Sequence, residues 1–437
     1  MWYTMIEQKK FLITAHCQLM NHTIKTALFM FLAGMFLFLQ DVEAQTGTSS
    51  PFSIFGIGEI ETRDFGRTLG MGNVGIGYQS ENFLNRRNPA ALSGIDTLRF
   101  ILDVSAAFKL SEFHTSADKH LTNNFSFKNL AIGVRVTKGW TTSVGLGPYS
   151  NVGYQLKKPV EIVGTNDYLD SDFSGSGGVN KFYWANAYEL FRGFSLGVTS
   201  SYIFGNISHN EDLDIISIKN TYSINKMYFD FGAQYTRWFG QFTNVTVGGI
   251  YGYKSNMAIQ RTQTITSNTG TDRNQRRPDI KTYVPESYGA GFSILRNKTN
   301  SEWILAADYL YRNWSVDDSR HKTLTNADSH IYSIGLQLTP NNKYPEKRIQ
   351  MMRFQIGATY NQSYLKVNGY QLEDYSLSLG VGIPVVSQRQ QTLSYVNLSA
   401  IIGESGTGQR GGISERYILF SVNLSLIERW FAKYLWY

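Results

Sequence analysis

The spacing Gly70-x-Gly72-x-x-Gly75 matches, letter for letter, the glycine fingerprint that cradles a dinucleotide pyrophosphate. That chemistry needs a strand before the glycines, a helix opening at the last of them and an acidic residue about 20 positions on. No βαβ pattern surrounds this stretch, so no cofactor is expected. The histidines beyond residue 44 are His114, His120, His209, His321 and His330, most of them in polar segments. HExxH and Cys/His ligand spacings are missing. Neither a catalytic site nor a metal site is therefore expected, although strands could bring a Ser, a His and an Asp together from afar. What remains is a set of charges, Asp103, Arg135, Asp230, Asp308 and Arg353, each on the polar side of an alternating segment. Charges of both signs on that side are read either as braces or as the lining of a polar path.

The elements that carry these charges alternate with period two. In the first, Leu98, Phe100, Leu102, Val104, Ala106 and Phe108 share one face, and Ile101, Asp103, Ser105 and Ala107 share the other. In the last, Ile418, Phe420, Val422, Leu424 and Leu426 oppose Leu419, Ser421, Asn423 and Ser425. A strand with lipid on one face and a polar lumen on the other requires this pattern. About fourteen such segments follow one another, an even number that returns the chain to its starting side. Several hairpins turn tightly, at Lys138-Gly139, Phe191-Arg192-Gly193 and Phe239-Gly240-Gln241. The intervals 157–180, 206–225 and 256–285 are long and polar and are read as loops of the opposite rim. The expected fold is all-β: a transmembrane antiparallel barrel over residues 97–427. An aromatic tail follows at 428–437, read as a short interfacial helix or as an extension of the last strand.

Composition agrees with strands in lipid. Aromatic residues make up 14% and charged residues only 17%, yet mean hydropathy is −0.25, too low for a helical membrane protein. The apolar run 27–39 follows Lys25 and precedes Val42-Glu43-Ala44, the layout of a cleaved signal peptide over 1–44, with Met20 as a second candidate start. The sole cysteine, Cys17, lies in that leader, which excludes a disulfide framework from the exported part. The net charge of +7 is assigned to solvated loops and to rims facing anionic lipid, not to nucleic acid.

Residues 45–96 do not alternate. They read Pro51-Phe52-Ser53-Ile54-Phe55-Gly56-Ile57-Gly58, then the glycine run from Gly66 to Gly77, then Asn88-Pro89-Ala90-Ala91-Leu92. This order, ahead of a first strand, resembles the FadL/TodX family of outer-membrane transport proteins, and most of all a divergent branch opening on a Ser-Pro-Phe/Tyr-Ser-x-Phe/Tyr-Gly-Ile-Gly motif. The resemblance implies that Phe52, Phe55, Gly70, Gly72, Asn88 and Pro89 belong to a hatch folded inside the barrel. It implies diffusion of fatty-acid-like hydrophobic molecules through an apolar pocket beside that hatch, and exit sideways at a kink in the third strand. Gly145, Gly147 and Pro148 interrupt the third alternating segment, where proline offers no N–H to a ladder and no sheet edge is free. The expected partners are outer-membrane lipid and a hydrophobic ligand, for a monomer. The alternatives are a barrel that serves a secretion system by handing over protein cargo, and a purely structural barrel.

Overall fold

The computed structural model describes residues 50–429, apart from 98, 115–118, 162–167, 214–215, 268–271, 299, 315–323, 342–346, 368, 387–392 and 408–411. The leader and the tail from 430 onward lie outside the described residues. Strands dominate. They are β1 (Glu59–Ile60), β2 (Arg99–His114), β3 (Lys119–Arg135), β4 (Trp140–Glu161), β5 (Tyr168–Phe191), β6 (Phe194–Leu213) and β7 (Ile216–Phe239). Then come β8 (Thr243–Gly252), β9 (Ser255–Ser267), β10 (Asp272–Val284), β11 (Glu286–Lys298), β12 (Ser301–Asn313) and β13 (Leu324–Asn326). The last are β14 (Ser329–Thr339), β15 (Arg353–Val367), β16 (Tyr370–Val386), β17 (Leu393–Gly406) and β18 (Ser414–Arg429).

Two crossings are each split in two. β8 and β9 both pair with β7, and β10 and β11 part at Pro285, which has no N–H to donate. With each split crossing taken as one, and the short β1 and β13 set aside, the wall is a closed antiparallel barrel of fourteen strands. It closes where β18 pairs with β2, from Ser414↔His114 to Arg429↔Arg99. Alternation explains the wall. On β14, Tyr332, Ile334 and Leu336 are exposed, whereas Ile331, Ser333 and Gln337 between them are buried. Among the described residues no helix is long and apolar enough to cross a membrane.

Aromatic rows mark the membrane boundaries. One row, Phe231, Tyr251, Tyr288, Tyr311 and His330, runs in register across five strands. Its rings meet at 5.3 Å (Tyr251–Tyr288), 6.4 Å (Tyr288–Tyr311) and 5.2 Å (Tyr311–His330). Exposed Trp140, Tyr188, Trp238 and Trp303 lie toward the tight turns at the other rim.

The three intervals read as loops are largely strand. β4 to β7 continue past the aromatic row, and β9 and β10 join them as a raised sheet. These extensions were invisible to the alternation rule because neither face needs to be apolar above the bilayer. β10 reads Asp-Arg-Asn-Gln-Arg-Arg-Pro-Asp-Ile-Lys-Thr-Tyr-Val.

Residues 50–96 fill the lumen. Phe65, Leu69, Met71, Val74, Ile76, Phe83, Leu92 and Ile95 are buried against inward wall residues such as Ala107, Ala131, Ile304 and Ile401. Close approach is possible because the wall there carries glycine. A Cβ at Gly335 would collide with the Met71 carbonyl, and one at Gly357 with the Gly72 amide.

Candidate functional site

The plug is seated on one carboxylate. Asp308 on β12 is buried and accepts the backbone N–H groups of Gly75 at 2.6 Å, Ile76 at 2.8 Å and Gly77 at 3.3 Å. Three successive amides converging on an anion form a nest. Arg87 adds a charge at 3.9 Å. The same turn is held by Gln234 and Asn88, whose side-chain amides donate to the Ile76 carbonyl, and by Ser293, which donates to Gly77. The glycine spacing that imitates a dinucleotide fingerprint therefore belongs to a plug turn. Gly72 takes a left-handed conformation (φ 65°), and its N–H donates to the Ser378 hydroxyl. Gly70 lies against Gly380. Asn88 caps the short helix that begins at Pro89 by accepting from the Ala90 N–H. Phe52 packs on Phe113 and Leu372, and Phe55 on Trp314 and Tyr364.

The wall has one weak ladder. β2 pairs with β3 from Phe100↔Val134 to His114↔Lys119, and β4 pairs with β5 from Trp140↔Tyr188 to Glu161↔Tyr168. Between β3 and β4 the register runs only from Arg135↔Thr141 to Leu130↔Leu146. It stops at Gly147-Pro148, beyond the still-paired Gly145. Past this point β4 turns to the plug: Ser150 pairs with Ile60, Asn151 with Glu59, and the Glu61 N–H donates to the Tyr149 carbonyl. On its other side Tyr149 is the extra residue of a bulge, between Pro148↔Asn180 and Ser150↔Val179. β3 reaches the plug through Lys128, whose ammonium donates to Glu61 at 2.7 Å and stands 4.6 Å over the Phe65 ring. Burial opposes ionisation of Glu61, but Lys128 and Arg63 outweigh it and hold its carboxyl below the usual range. Burial pushes the neighbouring Glu59 carboxyl up.

Behind this seam lies a lumen cavity of about 200 Å³, bordered by plug residues 60–64 and 85–87 and by β3 to β8, β11 and β12. Apolar and polar groups share its lining, so it is not the purely apolar pocket that the sequence led us to expect. Pro148, Leu92, Ile250 and the rings of Tyr149, Tyr183 and Tyr228 provide the apolar part. Most of its charges are matched: Glu61 with Lys128, Asp64 with Arg86, Arg63 with Asp374 at 3.2 Å, and Arg87 with Asp308. Lys181, Asp230 and Arg312 also line it, and among the described residues none of the three has an ion-pair or hydrogen-bond partner.

The remaining charges read from the sequence lie apart from the cavity. Asp103 accepts from Asn423 at 2.6 Å and Ser425 at 2.8 Å within the wall. Arg135 sits at the lower rim, donates to the Ser93 and Ile95 carbonyls and pairs with Glu189 at 3.3 Å. Arg353 stacks 3.4 Å from the Tyr395 ring centroid. Sequence reasoning passed over Lys181 and Arg312. Arg312 is four residues from Asp308 and has the same parity, so the alternation rule carried two steps further would have found it. His114, His209 and His330 contact Glu112, Tyr154 and Tyr309, and none of these pairs includes a serine. Among the described residues no three His, Cys, Asp or Glu side chains are grouped to hold a metal.

A family model described as BamG matches residues 23–436. No curated protein matches the chain. Among solved structures it is similar to the toluene transporter TodX of Pseudomonas putida, over 85% of this chain and 99% of that one, at 14% identity and a TM-score of 0.54. A Pseudomonas aeruginosa FadL homologue aligns over 85% and 99% at 12% identity and a TM-score of 0.54. The Ralstonia pickettii toluene transporter TbuX aligns over 86% and 98% at 13% identity and a TM-score of 0.52. At such identities the likeness is one of fold.

Proposed function

The chain belongs to the BamG family, and on that premise we propose that it is an outer-membrane channel through which small hydrophobic molecules diffuse, entering from the raised-sheet side and leaving sideways between β3 and β4. The observation that carries this reading is the β3–β4 ladder, which ends at Leu130↔Leu146 with a cavity directly behind it. The plug backbone meets the wall at Gly335, Gly357 and Gly380, which argues against a straight path. A gap in the wall is then the shorter exit, and it opens onto lipid, where an apolar molecule is stable. Gly145, Gly147 and Pro148 would form the portal, and the Ser50-Pro51-Phe52 opening fits the divergent branch of FadL/TodX-like barrels.

Cavity size bears on the ligand. An apolar cavity of about 150 Å³ holds one benzene, so a space of about 200 Å³ suits a single ring or a short chain better than an extended fatty acid. Toluene is what TodX and TbuX are named for, and it is the natural first probe. The test is uptake of labelled toluene into vesicles carrying the full chain, beside the double variant Gly147→Val, Pro148→Val, which restores an N–H and side chains to the seam. Uptake should fall to the rate of protein-free vesicles. Uptake equal to wild type, with the barrel still folded by its heat-modifiable gel mobility, would refute lateral exit.

A second reading, a docking platform for an exported protein, is favoured by the raised sheet, which presents exposed Arg273, Arg276 and Lys281 above the barrel. Stable co-purification of a surface protein, lost when residues 256–283 are replaced by a short turn, would select it.

A further inference from the structure

We propose that the lumen cavity takes a small organic acid, with its carboxylate on Lys181 and Arg312 and its apolar body against Tyr149, Tyr183 and Tyr228. The inference rests on the reading above that this cavity is a ligand site, and it narrows the substrate class from hydrocarbon to amphipathic anion.

Charge matching inside the lumen is the starting point. Arg63, Arg86, Arg87 and Lys128 each have a carboxylate within ion-pair reach. Lys181 and Arg312 border the same space without one, among the described residues. An ionised group withdrawn from bulk water and left unpaired is costly, and at membrane depth it marks a functional site by default. Two cations stand against one carboxylate, Asp230, so the free part of the site carries one net positive charge. A monoanion neutralises it.

Register places these groups. Asp230, Gly252, Ser287 and Arg312 are consecutive cross-strand partners on β7, β8, β11 and β12. Between the acid and the guanidinium the wall therefore offers only a glycine and a serine, and the Asp230 carboxylate and the Ser287 hydroxyl lie over the glycine. A Cβ at Gly252 would crowd Asp230 and the Ser287 hydroxyl. This inward row is one residue from the outward aromatic row through Phe231, Tyr251, Tyr288 and Tyr311. Asp230 and Arg312 thus lie at the level of the membrane boundary, where an amphipathic molecule coming from water keeps its polar end, and Lys181 stands on the raised-sheet side of that row, in register with Ile203 and Lys226. Tyr183, 4% exposed as a residue, lines the same space with its phenol beside Arg86. Tyr149 reaches the cavity because the bulge after Pro148 re-aims it, so seam and binding site share one backbone irregularity.

The probes are benzoate and toluene, titrated calorimetrically into the full chain in nanodiscs. Benzoate should bind more tightly than toluene. Lys181→Gln and Arg312→Gln should each weaken benzoate by about 10–100-fold, the loss expected for one charge-assisted hydrogen bond, and change toluene far less than benzoate. Asp230→Asn should tighten benzoate, because it removes the one repelling charge, and a merely structural Asp230 would not do so. Toluene binding as tightly as benzoate, with all three variants without effect, would overturn the acid site and leave the hydrocarbon channel standing. Failure of both probes to bind wild type would overturn both readings.

Discussion

Asp308 shows how much one side chain can hold. A carboxylate that accepts three consecutive backbone N–H groups makes charge-assisted bonds, each stronger than a neutral one. It does so where its own side chain is only 2% exposed. Asp308→Asn keeps the shape but replaces one acceptor by a donor facing amides. We expect the plug to lose about 1.5–3 kcal/mol of local stability, seen as faster amide exchange at Gly75, Ile76 and Gly77 with the wall strands unaffected. Equal protection in the variant would mean that Gln234, Asn88 and Ser293 suffice. Glu61 is the corresponding latch at the seam. Its folded carboxyl titrates below the ordinary range because of Lys128 and Arg63. The latch therefore contributes fully at neutral pH, and the contribution is lost only as pH falls through that lowered value. Protease access to residues 57–65 should stay low at pH 7 and rise only in stronger acid than an ordinary glutamate would need. Glu61→Gln should show the acid behaviour at pH 7.

Among the elements, wall strands and plug differ in what makes them readable. The strands were legible wherever lipid faces one side, since Phe108, Ile334 or Phe420 outward and Asp103, Ser333 or Asn423 inward repeat with period two. The upper halves of β5, β6 and β7 and the β9–β10 pair have water available to them, and alternation no longer decides anything there. The Gly147-Pro148 break was visible because proline inside a sheet is a chemical contradiction. What it does, handing β4 from β3 to the plug, needed the register. The unmatched Lys181 and Arg312 were not legible at all as unmatched, because pairing is a property of three-dimensional neighbours. The plug's seat makes its own prediction. Gly357→Val puts side-chain atoms where the Gly72 amide lies, and the wall cannot retreat without breaking its ladders to β14 and β16. The plug should lift while the barrel stays closed, giving larger single-channel conductance in planar bilayers than wild type. Conductance unchanged from wild type would mean the plug tolerates a shifted seat.

At the scale of the whole molecule, two structures with different grounds for stability are nested. The wall satisfies its backbone groups through a closed ring of ladders, which a lipid environment demands. The plug contributes buried apolar surface instead, and every described cluster in which it takes part mixes its side chains with inward wall residues. It follows that the ring should outlast the plug. Among the described residues only β4 takes backbone hydrogen bonds from the plug, at Tyr149, at the Ser150 and Asn151 pairs, and at Gly153. Deleting residues 50–96 should therefore leave a barrel that still folds and still migrates as a compact species before boiling. Its unfolding temperature should be lower, because Ile101, Ala131, Ile304 and Ile401 lose their apolar cover. The same deletion should turn a channel of low conductance into an open pore, because nothing else among the described residues spans the lumen at the level of Asp308. If the deleted chain instead fails to close, the β3–β4 seam needs the plug as a surrogate strand. The substitutions Gly147→Val and Pro148→Val in the deleted chain, which let β4 pair upward with β3, should then rescue closure.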